Sequence, residues 1–219
     1  MTYPRRSPFV WATWLPKLLT RHNTCEWSAW FMAHHQGYKR EEDVPYKALE
    51  AHAALLKQTR EEFEERGYYV SIEDENKFYL KSRTGATLCG VPDLIAISER
   101  PVIAEIKSGK QWPFDRMQLL LYMHSVPRAQ NLNYEGVTFD GLLVYPDKVE
   151  TVSPAELEEF RPKLKELLKR VIADKPAEKM PSEKNCKFCK LSSADCPEKI
   201  YAGRDEASAH VTLPQLPTL

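Results

Sequence analysis

Apolar positions along the chain follow a helical period at first. Pro16 to Leu19 reads as a short helical start. Asn23 or Thr24 can cap a helix running to about Gln36, with Trp27, Trp30 and Phe31 on one face. A charged turn, Lys39 to Asp43, leads to Pro45 at the first position of another helix. Its inward stripe is expected to hold Leu49, His52, Ala53, Leu56 and Phe63, and Gly67 stops it. The period then changes. Tyr68–Ile72, Lys77–Lys81, Thr87–Ile97 and Val102–Lys107 are rich in β-branched, aromatic and leucine residues. Turn-forming residues separate them at Asp74-Glu75-Asn76, at Gly85 and at Arg100-Pro101.

Beyond Ser108-Gly109 the pattern predicts a helix from about Pro113 to His124 and an apolar strand from Gly141 to Tyr145. Ser153-Pro154-Ala155-Glu156 is a capping box that opens a helix reaching roughly Ala173, which Pro162 is expected to kink or split. Periodicity is lost after Lys175. Helices, a run of strands, then helix, strand and helix predict an α/β fold with a mixed central sheet flanked by helices. Four regions follow: a helical stretch over 1–43, a core over 44–174, a cysteine-rich segment over 175–200, and a weakly ordered tail over 201–219.

Composition narrows the function. With Lys+Arg and Asp+Glu both at 31, the net charge is zero, which counts against a passive nucleic-acid coat. An enzyme that confines its positive charge to one groove is still allowed. Met1 to Pro16 is broken by three prolines and carries no long apolar run, so a cytoplasmic protein with no membrane span is expected. Five cysteines in such a chain point to a metal or cofactor rather than to disulfides.

The chemistry concentrates in Pro92-Asp93, eleven residues, then Glu105-Ile106-Lys107. Side chains alternate along a strand, so Glu105 and Lys107 share a face while Ile106 points away. Pairing this strand with the one carrying Asp93 brings two carboxylates and a lysine together. Carboxylate oxygens suit Mg²⁺ or Mn²⁺, which can activate a water and stabilise charge on a phosphoryl group. The lysine can orient that water or neutralise charge developing in the transition state. The three residues alone are a short pattern that recurs by chance. Gln118 and Tyr122, four apart on the next helix, and His52, on the helix before, extend it. Near these motifs Lys81, Arg83, Lys110 and Arg116 could meet phosphates, and Trp112 could stack on an unpaired base.

In this order, His52, Pro92-Asp93, Glu105-Ile106-Lys107 and Gln118-xxx-Tyr122 resemble the motif series of RecB-like PD-(D/E)xK nucleases, over about residues 46 to 145. The resemblance implies a restriction-endonuclease-like core. It implies that His52, Asp93, Glu105 and the carbonyl of Ile106 hold Mg²⁺ or Mn²⁺, and that Lys107 assists the attacking water. It also implies that Gln118 and Tyr122 contact DNA and support the site.

Cys186-x2-Cys189-x6-Cys196 is a ligand-like spacing one residue short of a complete site. The fourth thiolate is either Cys25, at the start of a helix, or Cys89, four residues before Asp93, and spacing does not separate zinc from iron. One distant N-terminal cysteine plus a C-terminal triplet resembles the iron–sulfur branch of the same nucleases, which includes the AddB nuclease domain and the CRISPR-adaptation exonucleases. That resemblance implies a structural [4Fe–4S] clamp held by Cys25, Cys186, Cys189 and Cys196. The expected function is a metal-dependent deoxyribonuclease, an exonuclease rather than an endonuclease, acting on single-stranded or frayed DNA. Its partners would lie in CRISPR, repair or phage-related complexes. The competing readings are a non-cleaving DNA-binding or scaffold subunit and a zinc-stabilised interaction protein.

Overall fold

The computed structural model describes residues 2–38, 46–187 and 189–201. In chain order the elements are β1 (Tyr3–Pro4), β2 (Phe9–Trp11), α1 (Pro16–Leu19), α2 (Glu26–His34), β3 (His35–Gln36), α3 (Tyr46–Glu65), β4 (Tyr69–Ile72), β5 (Phe78–Lys81), β6 (Thr87–Gly90), β7 (Leu94–Ile97) and β8 (Val102–Ile106). They continue with α4 (Pro113–Ser125), β9 (Asp140–Val144), β10 (Val149–Val152), α5 (Leu157–Val171) and α6 (Glu183–Cys186). The expected charged turn at Lys39–Asp43 and Pro45 lie outside the described residues, as does the expected tail beyond Tyr201.

A five-stranded mixed sheet, in the order β10-β9-β8-β7-β4, forms the centre. Its neighbours are antiparallel except β8 and β9, which run parallel and are joined across the sheet face by α4. Alternation along the strands sends side chains to two cores. On one face Leu94, Ala96, Ala104 and Ile106 pack against Leu56 and Phe63 of α3. Ile95, Ile103 and Leu143 face the other way, into the larger core with α4, α5 and the N-terminal elements. β9 can lie close to α4 because residue 141 is glycine. A Cβ there would come within 2.6 Å of Met123 Sδ. At the end of α3, Gly67 takes φ +81°, the left-handed conformation that terminates a helix at little cost for glycine.

Several expectations from the sequence are corrected. The stretch Thr87–Ile97 is two strands in two sheets: β6 pairs with β2 and β5 in a three-stranded sheet, and β7 joins the central one. The proline and aspartate between them make the crossing, since Pro92 lacks the donor that a continuous ladder needs. Asp93 therefore precedes β7 rather than lying within it. On α3 only Leu56, Thr59 and Phe63 are buried. Leu49 is 54% exposed, so the helix leaves the core towards its N-terminus. Pro162 does not split α5, which runs unbroken to Val171. The proline lies on the exposed face, where solvent can serve the carbonyl that its missing N–H would have paired. No described helix is long and apolar enough to cross a membrane.

Candidate active site

The β7–β8 register places Leu94 opposite Ala104, which sets Asp93 beside Glu105 at the sheet's end. The peptide N–H of Ile106 donates to Asp93 Oδ2 at 2.7 Å. The backbone around Asp93 is held from the β4 side. Glu73 N–H donates to the Asp93 carbonyl at 3.0 Å. Asn76, 1% exposed, donates to the Pro92 carbonyl at 3.1 Å and to the Ser71 carbonyl at 3.0 Å. Nothing in the sequence motif pointed to Asn76. Its signal was only an asparagine in a turn, where a side-chain amide commonly bonds to nearby backbone.

Glu105 is 2% exposed and turns towards α4. Its Oε1 accepts from Lys107 Nζ at 2.8 Å and from the Gln118 amide. Gln118 in turn accepts from Lys107 Nζ at 3.2 Å and donates to the Tyr122 hydroxyl at 3.2 Å. Tyr122 is 1% exposed, so the expectation that it meets DNA gives way to a buried support for Gln118. Arg116, one of the cations that could meet a phosphate, is engaged by both Glu156 oxygens and the Thr151 carbonyl. His52 projects from α3 with Nε2 3.7 Å from Asp93 Oδ1. The Ser108 hydroxyl donates to the Ala48 carbonyl at 3.3 Å and ties that helix to the loop after β8.

His52, Asp93, Glu105, Ile106 and Lys107 line an open cleft of about 360 Å³, together with Ser108, Gly109, Lys110, Trp112 and Asp115. Asp115, a buried carboxylate that the motif reading passed over, caps α4 by accepting from the Trp112 N–H and also accepts from the Tyr145 hydroxyl.

Electrostatics at the cleft favour a cation. Burial raises the Asp93 carboxyl to about 6, and burial with repulsion from Asp93 raises Glu105 to about 7. Lys107 behaves differently. Burial works against its charge, but Glu105 and Asp93 outweigh it, so its pKa is raised and it stays an ammonium. Among buried side-chain atoms, Glu105 Oε2 has no hydrogen-bond partner. An unpartnered carboxylate oxygen beside a second carboxylate is a donor set that fits Mg²⁺ or Mn²⁺. Among the described residues no three His, Cys, Asp or Glu side chains are already drawn together as a closed metal cluster. His52, Asp93 and Glu105 would have to close on the ion.

The cysteines separate into two places. Cys25, Cys186, Cys189 and Cys196 line one small cavity with Trp27, Lys179 and Lys199. Cys89 is fully buried in β6, opposite Trp11 and Tyr79. All five are free thiols. The two chain ends meet through side chains adjacent to the cysteines. Asn185 accepts from the Thr24 N–H at 3.1 Å and donates to the Thr24 hydroxyl at 3.1 Å and the Met180 carbonyl at 2.7 Å. Arg170 adds a two-pronged pair with Glu26, at 2.7 and 2.8 Å. Burial raises the Cys189 and Cys196 thiols, and the neighbouring cysteines add to it. Four thiols flanked by two lysines match a four-thiolate site in residue type, but among the described residues no three of them form a group that could hold a metal ion as they stand.

The family model of the PD-(D/E)XK nuclease superfamily matches residues 13–197. No curated protein matches the sequence. Among solved structures the chain is similar to SSO0001, at 12% identity over 85% of each chain with a TM-score of 0.45. It is also similar to an alkaline exonuclease (LHK-Exo) from Laribacter hongkongensis, at 15% identity over 61% of this chain and 72% of that one, with a TM-score of 0.37. The family match spans α1 to the last cysteine, and on it the chain belongs to the PD-(D/E)XK nuclease superfamily.

Proposed function

We propose that this chain is a Mg²⁺- or Mn²⁺-dependent deoxyribonuclease that acts on single-stranded or frayed DNA, with an exonuclease's preference for ends. The observation that carries the reading is Glu105 Oε2, a buried carboxylate oxygen with no partner, next to Asp93 in a cleft open to solvent. When bound, the cation would acidify a water and stabilise negative charge on the phosphoryl oxygens.

Each residue has a part that follows from its surroundings. Asp93, Glu105, His52 and the Ile106 carbonyl would hold the ion. The Ile106 N–H engages Asp93 Oδ2 and so fixes the orientation of that carboxylate. Glu105 and Asp93 raise the Lys107 pKa and so favour its ammonium form. Its ammonium orients the attacking water and meets charge as it develops on the phosphate. Gln118 holds Glu105 and Lys107 in mutual register, and Tyr122 holds Gln118.

For the second site we propose a structural [4Fe–4S] cluster on Cys25, Cys186, Cys189 and Cys196. A zinc site has the same thiols in its favour, and colour separates them. Anaerobically purified protein with a broad visible absorbance and bound iron supports the cluster. Colourless protein with one zinc supports the alternative.

The nuclease reading is tested with end-labelled linear and circular single strands in Mg²⁺, Mn²⁺ or chelator. Metal-dependent loss of the linear strand supports the reading. Equal loss of the circular strand would make the enzyme an endonuclease, and intact DNA under all conditions would leave a binding or scaffold protein.

A further inference from the structure

Beside the cleft, two aromatic rings stand outside both hydrophobic cores. Trp112 and Phe114 lie nearly parallel, with centroids 5.5 Å apart and planes at 11°. Neither belongs to the apolar clusters on the two sheet faces, and both are half-buried at the surface. The packing of α4 is carried further along by Leu119, Leu120, Leu121 and Met123. Two large rings left out of the core at the lip of a cleft need another reason for their arrangement.

Their mounting is rigid. Trp112 caps α4, its N–H is held at 2.9 Å by Asp115 Oδ2, and Pro113 fixes the first helical position. The His22 ring braces both from one side, 5.4 Å from Trp112 and 5.2 Å from Phe114. Each ring also faces a lysine: Lys110 Nζ is 4.9 Å from the Trp112 centroid, and Lys17 Nζ is 5.2 Å from that of Phe114. The cysteine-rich segment adds positive charge here, since Lys190 repels Lys17 and Lys184 repels His22.

We propose that Trp112 and Phe114 form a stacking platform for the bases of an unpaired DNA strand whose scissile phosphate lies at Asp93 and Glu105. This deepens the nuclease reading and rests on it for where that phosphate sits. Trp112 lines the same cleft as the two carboxylates, so a base on its face is a neighbour of the reacting phosphate. An exposed cation–π contact is weaker than the stacking of a base on an aromatic ring, so a base displaces the lysine from the ring face. The displaced ammonium then stands next to the strand's own phosphates. Bases in a duplex have both faces covered by their neighbours, so the platform selects for single strands. Apolar peptides are disfavoured by the lysines over the rings, whereas a polyanion with flat bases matches both features.

The test uses the full-length protein in chelator, so that binding is read apart from cleavage. Affinities are measured for fluorescein-labelled oligothymidylate and for an abasic strand of equal length and charge. The wild type should bind oligothymidylate about tenfold more tightly than the abasic strand. Trp112→Ala and Phe114→Ala should each shrink that ratio towards one, and Trp112→Tyr should restore most of it. Melting curves identify any variant that has lost its fold, and for such a variant Trp112→Tyr against Trp112→Leu supplies the comparison. A wild-type ratio near one, or a ratio that survives both alanine variants, overturns the platform. Cleavage of oligothymidylate by the wild type in Mn²⁺ is scored separately. Its absence with the binding ratio intact would reject the nuclease reading and keep the platform.

Discussion

The peptide N–H of Ile106 donates to Asp93 Oδ2 at 2.7 Å, so the strand that carries Glu105 also aims the second carboxylate. This bond connects the two halves of the motif without help from any side chain between them. It leaves Asp93 Oδ1 on the side of His52, 3.7 Å from Nε2.

Metal holding and phosphate stabilisation act as a unit at such a site, so no single residue should be dispensable. Asp93→Ala, Glu105→Ala and Lys107→Ala should each slow cleavage of labelled single-stranded DNA by about a hundredfold or more. Far-ultraviolet circular dichroism should show each variant folded. A wild-type rate in any of the three removes that residue from the mechanism.

Protons should compete with the cation. Asp93 is raised to about 6 and Glu105 to about 7, so both carboxyls are largely protonated below these values and ionised above them. Metal binding must displace those protons. Calorimetric Mn²⁺ affinity is therefore expected to be level only above about pH 8, a unit beyond the Glu105 value, and to fall on acidification, up to about tenfold per pH unit for each proton released. His52→Ala should raise the metal concentration needed for half-maximal cleavage. A histidine with only a packing role would lower the melting temperature and leave that concentration alone. An Mn²⁺ affinity that ignores pH through this range would show that these carboxyls are not the ligands.

The motif residues were legible because their spacing maps onto strand alternation: Glu105 and Lys107 on one face, and Asp93 across the turn from them. The α4 pattern, with Gln118 and Tyr122 one turn apart, was legible for the same reason. What the sequence did not reveal are long-range pairings without a local period. The Asn76 bond to Pro92 spans 16 residues and the Thr24–Asn185 clasp spans 161. The jump of Thr87–Ile97 between two sheets was hidden because a buried strand reads as apolar in either sheet. Tyr122 reads as amphipathic by position, and only its packing against Phe78, 6.0 Å between ring centroids, shows that it is sealed inside.

The four-thiolate reading predicts that serine at Cys25, Cys186, Cys189 or Cys196 cuts iron content and lowers the melting temperature by about 10 °C. Serine at Cys89 should leave iron content nearly unchanged, since that thiol is enclosed in β6 away from the others. Asn185→Ala tests the clasp separately. It removes the bonds to Thr24 and Met180 at a cost of about 1–3 kcal/mol, and it should speed iron loss to a mild chelator. Iron loss from Cys89→Ser but not from Cys25→Ser would overturn the ligand set.

Gln118 and Tyr122 separate positioning from metal binding. The Gln118 amide donates to Glu105 Oε1, and its oxygen accepts from Lys107, so it sets the angle between carboxylate and ammonium. Gln118→Ala removes both bonds but no proposed metal ligand. Misplacing the two groups by a fraction of an ångström can slow chemistry by about a hundredfold, while Mn²⁺ affinity should move only a few-fold. Tyr122→Phe keeps the buried ring and removes the hydroxyl that accepts from Gln118 at 3.2 Å. It leaves a half-buried amide donor with one partner fewer, at a cost of about 1 kcal/mol, and should slow cleavage by less than Gln118→Ala does. The two variants are compared by calorimetry with Mn²⁺ and by cleavage of the same labelled strand. Lost metal affinity in both would mean that α4 builds the metal site rather than supporting it. Full cleavage rates in Gln118→Ala would mean that Lys107 and Glu105 hold their geometry without it.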